Sequence, residues 1–259
     1  MSLEYEGFEH WSNYFNLGEL RQVEHVIHCL FGMQAKKIKK YRDPELLGSL
    51  PALLGAMEGD DKRALYEVQK FIGASQPVRT LFNGALMRAC AARVGCVTEN
   101  ILLEGPALFV SRPNTDRLLY KWHSEAHYYP KRRRFLNLWL PIFTDRTEEN
   151  GAMHIKVGSH REHWDFAEYD SGPHTFVQYE IPEGHVAGYE THICESKRGD
   201  LIVFGSNTVH RSANNRSPEY AFAMVARAWY PGDDLTLSGN MAATPYGNDF
   251  GRADMVVEL

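Results

Sequence analysis

A mainly β fold, a sandwich or barrel behind an N-terminal helical region, is what the sequence predicts, and three observations predict it. After Gly95 the chain breaks into short aromatic and β-branched runs: "ILLEGPALFVSRP", "RLLYKWHSEAHYY", "RFLNLWLPIFT", "AMHIKVGSH", "HTFVQYEI", "DLIVFGSNTVH" and "YAFAMVARAWY". Turn signals separate them, among them "RPNTD", "TEENG", "DSGP", "PEG", "KRGD" and "NNRSPE". Runs of this kind at this spacing read as strands of a sandwich or barrel. Before Gly95 the apolar residues recur instead at helical spacing.

The helical elements come first. Residues 17–40 carry Leu20, Val23, Val26, Ile27, Leu30 and Phe31 on one stripe and end in a lysine-rich turn that suits a helix C-terminus. A second helical region is expected from about Pro44 to Ala74, broken near "EGDD" at 58–61, and a third over "VRTLFNGALMRACAARVG". With 259 residues, 44% of them hydrophobic, the chain can bury one large core. A single domain over 1–259 is therefore expected: a helical support region at about 1–95, a β core at about 96–231, and a Gly-, Asp- and Asn-rich tail at about 232–259 that folds over it.

The formal charge of −5 supplies no global field for nucleic acid or an anionic membrane. No uncharged apolar run approaches the roughly 20 residues that span a bilayer. The four cysteines, Cys29, Cys90, Cys96 and Cys194, form no CxxC pair, and "MSLEYEGFEHW" lacks the basic-then-apolar pattern of a secretory signal. A reducing cytoplasm is the expected location, with small molecules as partners. The oligomeric state is left open.

The chemistry concentrates in "YKWHSEAHYYP", residues 120–130. If this run is a strand, Lys121, His123, Glu125 and His127 share one face, and Tyr120, Trp122, Ser124 and Ala126 take the other. A polar row also fits the solvent side of an ordinary strand, with Trp122 and Ala126 as the core side. A remote partner argues for more. "RGDLIVFGSNTVHRSANNRS" places an apolar strand and a short turn immediately before His210, 87 positions after His123. Two histidines and one carboxylate can fill one face of an octahedral ion and leave three positions open.

Four segments in order then resemble the phytanoyl-CoA dioxygenase-like members of the Fe(II) and 2-oxoglutarate-dependent oxygenases. "KWHSEAHY" looks like their tryptophan-histidine-x-acid segment, with Glu125 where aspartate is usual. "LNLWLPIFTDRTEENGAMHIKVGSHR" resembles their strand, "ENG" turn, strand and Gly-Ser-His end. "KRGDLIVFGSNTVHRSANNRS" looks like their distal-histidine segment and "YAFAMVARAWY" like the strand that follows. The resemblance covers roughly residues 100–231. It implies a double-stranded β-helix, the jelly roll of cupin-like proteins, with the helices packed on one sheet. It implies that His123, Glu125 and His210 bind Fe(II), that 2-oxoglutarate and O2 are cosubstrates, and that a small organic metabolite is hydroxylated as 2-oxoglutarate is decarboxylated to succinate. Glutamate adds one methylene to the usual ligand, so the backbone must stand slightly further from the metal. A carboxylate here also argues against the halogenase branch, which keeps a small residue at this position.

One departure concerns the cosubstrate. The family usually carries an arginine about eleven residues after the distal histidine to pair with the 5-carboxylate of 2-oxoglutarate. Here that position is Ala221, between Tyr220 and Phe222. Arg227 lies on the same strand but about 20 Å from Tyr220 at roughly 3.3 Å per residue, which argues for the other end of the barrel. Lys121 is better placed by strand parity. The basic run of "YPKRRRF", Lys131 to Arg134, is a further source, since Arg133, Asn137 and Trp139 share a strand face. Ser212 matches a family position that can donate a hydrogen bond to the cosubstrate.

Other residues carry less. His127 continues the inward row as a substrate contact or a structural histidine. Tyr179, His185 and Tyr189 fall in a stretch that varies in the family and often covers the pocket, which makes them candidate substrate contacts. His160 and His163 read as loop residues, and Arg112 as a rim residue. Two rival readings remain: a cupin-like metal-dependent hydrolase or isomerase activating water at the same three ligands, and a metal-binding homologue that has lost turnover of 2-oxoglutarate.

Overall fold

The computed structural model describes residues 2–37, 49–60, 68, 71–114, 120–128, 135–170 and 177–230. The basic run at 131–134 and the C-terminal tail at 232–259 lie outside the described residues.

Helix α1 (Leu17–Lys37) forms where the apolar stripe requires it, with Leu20, Val23, Ile27 and Phe31 all fully buried. Helix α2 (Leu50–Asp60) runs through Glu58 and Gly59, so the helix continues to Asp60, inside the stretch where a break was expected. The third helical stretch is two helices, α3 (Gln76–Leu81) and α4 (Ala85–Val94). The interruption falls at Asn83-Gly84, where Gly84 takes φ 59°, a conformation that glycine adopts without the steric cost of a Cβ.

Among the described residues there are ten strands, nine of them after Gly95. The larger sheet is antiparallel, in the order β1 (Phe8–Trp11), β8 (Leu201–Gly205), β3 (Phe135–Ile142), β10 (Ala221–Trp229), β2 (Leu102–Ser111). A smaller sheet pairs β7 (Thr191–Cys194), β4 (Met153–Lys156) and β9 (His210–Ser212), and β5 (Ala167–Asp170) forms a hairpin with β6 (Val177–Glu180). Strand β1 was not foreseen: "FEHW" precedes the helices in sequence and becomes an edge partner of β8.

Side-chain alternation gives the large sheet two different faces. Leu136, Leu138, Leu140 and Ile142 of β3, Leu201 and Val203 of β8, and Phe222, Met224, Ala226 and Ala228 of β10 pack in one cluster with α1, α2 and α4. The intervening residues Trp139, Ile202, Phe204 and Ala223 turn the other way and meet Met153, Ile155 and Cys194 of the small sheet. This is the jelly roll expected, with helices on one sheet and the inter-sheet space left for the site. That β3 is buried at all eight positions follows from being covered on both faces.

The described part of the run at 120–130, residues 120–128, is not the strand expected. His123 makes one isolated bridge to β9, and from Ser124 the chain turns into a short helix, α5 (Glu125–Tyr128). Among the described residues of this run only His123 is in the ladder, so the two-residue period holds on neither side of it, and both Lys121 and His127 are redirected.

Helix α1 is fastened to the loops of the barrel by one side chain. Glu24 accepts from Nε and Nη2 of Arg198 (2.6 and 2.7 Å) and from the backbone N–H of Phe143 (2.8 Å). Phe143 ends β3 with φ 67°, so this carboxylate holds a strained strand end in place. Glu24→Ala leaves a half-buried arginine and a backbone donor unpaired at once. A loss of about 2 to 3 kcal/mol is expected, read as a lower urea midpoint at an unchanged slope.

Candidate metal centre

Backbone pairing brings the ligand-type side chains together. The N–H of His123 donates to the carbonyl of His210 (3.0 Å), and the N–H of His210 returns the bond to His123 (2.9 Å). The two imidazoles then stand side by side, with ring centroids 4.2 Å apart. Each ring is fixed by its inner nitrogen: Nδ1 of His123 lies 2.7 Å from the carbonyl of Lys121, and Nδ1 of His210 lies 3.0 Å from that of Thr208. A carbonyl can only accept, so both Nδ1 atoms carry the proton and both Nε2 lone pairs are free for a metal.

Glu125, at the start of α5, turns its Oε1 to this pair, 3.6 Å from Nε2 of His123 and 3.9 Å from Nε2 of His210. All three ligand atoms lie within 4.8 Å of one another. Its other oxygen, Oε2, receives Nε and Nη2 of Arg227 at 3.2 and 2.6 Å. Arg227 thus occupies one oxygen and leaves the other aimed at the histidines. Two imidazole nitrogens and one carboxylate oxygen on one side of a cavity are a donor set that fits a divalent transition metal such as Fe(II).

The protonation states agree with that use. Burial pushes the Glu125 carboxyl up, but the Arg227 guanidinium and the hydrogen bond and charge of His123 outweigh it and hold the group well below the usual carboxylate range. Burial, with the neighbouring His123, pulls His210 down to about 3. The centre is therefore an anionic oxygen and a neutral His210 imidazole at neutral pH.

The cavity around it has a volume of about 770 Å³, part of it open to solvent. Its wall brings Asn137, Trp139, Ser212 and Arg227 together with the three ligands. Asn137 is buried, and neither atom of its amide has a partner. The placement of Arg227 corrects the reading of distance. It does lie at the far end of β10 from Tyr220, but that far end is where Glu125 sits.

Lys121 is turned away. It is half-exposed, bonds Glu180 at 2.6 Å, and does not line the cavity. Its expected inward direction assumed a strand running from Lys121 through Glu125, and only His123 of that stretch is in the ladder. His127 is likewise displaced by α5: Nε2 donates to the carbonyl of Trp164 (3.2 Å), and the ring packs on Phe166 at 4.1 Å. Tyr179 sits behind Tyr128, which itself lines the cavity, with centroids 4.7 Å apart. Tyr189 packs on Trp164. None of His127, Tyr179, His185 and Tyr189 forms part of the cavity wall.

The sequence reading missed Phe109, Ser111, Tyr120, Tyr128 and above all Arg146. Arg146 is 3% exposed and comes from "FTDRTEENG", directly after β3. Burial alone draws its pKa down to about 10, so it stays charged at neutral pH. An arginine in a turn-rich stretch carries no periodic signal of direction, and only its place between a mostly apolar strand and the "ENG" turn hinted at it.

Comparison with known proteins places this geometry. No curated protein matches the chain in sequence. Among solved structures, EctD from S. alaskensis in its apoform matches with a TM-score of 0.60 at 16% identity, over 88% of this chain and 74% of that one. The non-heme alpha ketoglutarate dependent carbocyclase SnoK from nogalamycin biosynthesis matches with a TM-score of 0.57 at 15% identity, over 92% and 87%. EvdO2 from Micromonospora carbonacea var. aurantiaca complexed with 2-oxoglutarate matches over 59% of this chain at 17% identity, with a TM-score of 0.48. This chain spans 63% of that protein, less than two thirds of its length. The first two likenesses establish the fold. The sequence itself matches the family model of phytanoyl-CoA dioxygenase (PhyH) over residues 51–223, which include His123, Glu125, Arg146 and His210, and the chain belongs to that family.

Proposed function

We propose that this chain is a non-haem Fe(II)- and 2-oxoglutarate-dependent dioxygenase that hydroxylates a small organic metabolite, with His123, Glu125 and His210 as the iron ligands. One observation carries the reading. Nε2 of two histidines and a single ionised Oε1 converge within 4.8 Å, all lining one cavity. Three protein ligands on one face leave room for a chelating 2-oxo acid and for O2. The bound iron supplies oxygen activation; the protein's residues supply position and charge.

Each residue has a stated task. The carbonyls of Lys121 and Thr208 hold the Nδ1 side of each imidazole, so that Nε2 of both points at one place. Arg227 keeps Glu125 ionised and confines its metal-facing role to Oε1. Asn137, opposite Arg227 on the neighbouring strand, offers an amide donor and acceptor to bound molecules. Phe109, Tyr120 and Tyr128 give the cavity an aromatic wall, which favours a substrate with a ring or an apolar body. Among the described residues no helix is long and apolar enough to cross a membrane.

Addition of Fe(II) and 2-oxoglutarate without oxygen is expected to give a weak visible charge-transfer band. Absence of the band together with absence of 2-oxoglutarate affinity overturns the assignment. Consumption of O2 with formation of succinate separates it from a hydrolase or isomerase, which consumes none. His210→Ala is expected to abolish iron binding.

Arg227→Met tests the support of the carboxylate. With the guanidinium gone, burial dominates and the Glu125 carboxyl titrates at higher pH, so acid should displace the metal at a higher pH than in the wild type. At neutral pH the affinity for Fe(II) is expected to fall about tenfold or more, which corresponds to about 1.4 kcal/mol.

The metal-free protein should also lose stability on acidification. Because His210 is depressed from 6.5 to about 3, both states are neutral above pH 6.5. Below that the unfolded chain takes up a proton that the folded chain refuses. Each such histidine contributes a loss of about 1.4 kcal/mol per pH unit as pH falls from 6.5 toward 3. In urea melts across this range, His210→Phe should show a shallower slope by one proton.

A further inference from the structure

Arg146 reaches the cavity from the loop between β3 and β4, and its guanidinium is only partly satisfied. Of five N–H donors, the two on Nη2 go to Oγ of Ser111 (2.9 Å) and to the carbonyl of Gly151. Nε and Nη1 are buried without a partner. No carboxylate among the described residues pairs with it, and burial is the one influence acting on its charge. A buried guanidinium with unspent donors is costly unless an anion meets it.

The loop is built to keep Arg146 there. Its backbone pairs in both directions with Ser196 (2.8 and 2.9 Å), and the preceding residue, Asp145, accepts from the N–H of Arg198 (2.8 Å). The "ENG" turn closes behind it. Asn150 accepts from the N–H of Thr147 and donates to the carbonyl of Asp145. Gly151 takes φ 88°, where a Cβ would approach the carbonyl of Ala213 to 2.8 Å and Nη2 of Arg146 to 3.4 Å. The indole of Trp139 flanks the guanidinium at 5.7 Å. Such bracing fixes one direction for a charge that has no carboxylate partner among the described residues.

Register relates this charge to the metal ligands. Ser111, which Arg146 touches, is the strand partner of Ala221 at the start of β10, whereas Arg227 near its end holds Glu125. The two positions are six residues apart, roughly 20 Å at about 3.3 Å per residue. Arg146, Ser111 and Arg227 nevertheless line the same cavity as the three ligand residues. Ser212, two residues from His210 and paired with Met153, lines it too. A dicarboxylate held in this cavity would have one carboxylate at the metal ligands and the other at the unspent donors.

We infer that Arg146 holds the distal 5-carboxylate of 2-oxoglutarate, a duty for which β10 offers only Ala221. This rests on the oxygenase reading above. Arg146 is then a cosubstrate-binding residue that selects a dicarboxylate over a monocarboxylate 2-oxo acid of similar shape.

The test uses the full chain loaded with Fe(II) without oxygen, titrated through its charge-transfer band with 2-oxoglutarate and with 2-oxobutanoate, which lacks the distal carboxylate. The wild type is expected to prefer 2-oxoglutarate by roughly 30-fold or more. Arg146→Met should bind the two acids alike, with affinities for 2-oxobutanoate and for Fe(II) close to wild type. Arg146→Lys should recover part of the preference, and Lys121→Ala should keep all of it. Should Arg146→Met fail to fold, Arg146→Gln reads the same preference. A wild type without preference, or a folded Arg146→Met protein that retains it, overturns the role of Arg146 alone. If neither acid gives the band on the wild type, the oxygenase reading falls and the inference falls with it.

Discussion

Two backbone hydrogen bonds exchanged between His123 and His210 set the geometry of everything that surrounds the centre. They join the small sheet to a segment that otherwise leaves the ladder, and they put two imidazoles from distant parts of the chain 4.2 Å apart. The bridge also determines where the polypeptide must turn. Two residues past His123 the chain enters α5, and Glu125 approaches the histidines from a helical turn rather than from a strand. Ala126 then donates its N–H to the carbonyl of Ser206, at the end of β8, so the turn is tied to the large sheet as well. The carboxylate is therefore held by both sheets, through its backbone on one side and through Arg227 on the other.

This arrangement explains which parts of the site were legible in the sequence. His123, Glu125 and His210 stood out because their residue types, order and separation carry the signal, whatever the local conformation between them. The inward direction of Lys121 and His127 depended on a two-residue period, but His123 pairs only as an isolated bridge and neither flank of it is strand. The same rule succeeded for β3 and β10, which are long and paired on both sides: Asn137 and Trp139 face the cavity while Leu138 and Leu140 face the helices. Arg227 was read with the right distance and the wrong origin. Distance along β10 was measured from Tyr220, but nothing in the sequence says which end of that strand meets the metal ligands. Arg146 was illegible for a different reason, because loop residues have no parity and their direction comes from tertiary pairing, here with Ser196.

Unpaired polar atoms in the buried interior are costly, and two of the residues that carry them, Asn137 and Arg146, line the one cavity that also holds the ligand atoms. Fold stability gives no reason to keep them. The helix-facing side of the same sheet shows what stability alone selects: Leu136, Leu138, Leu140 and Ile142 on β3 and Phe222, Met224, Ala226 and Ala228 on β10, with no polar side chain among them. The contrast between two faces of one sheet separates residues that fold the chain from residues that await a ligand. It does so without reference to any related protein.

The two departures from the family pattern then have related physical answers. A glutamate ligand is one methylene longer than aspartate, and a flexible extra bond would let the carboxylate swing or present both oxygens. Arg227 removes that freedom by engaging Oε2 with two donors while Oε1 faces the histidines. The loss of a cation at Ala221 leaves one end of the cavity without charge on its own strand, and Arg146 brings charge to the residue paired with it, Ser111. In each case a guanidinium from a neighbouring element restores what the local residue lacks. Guanidinium suits both tasks because its donors are several, rigidly spaced and charged at neutral pH. A lysine at either place would provide the charge but not the direction, and direction is what a carboxylate ligand and a dicarboxylate cosubstrate both require.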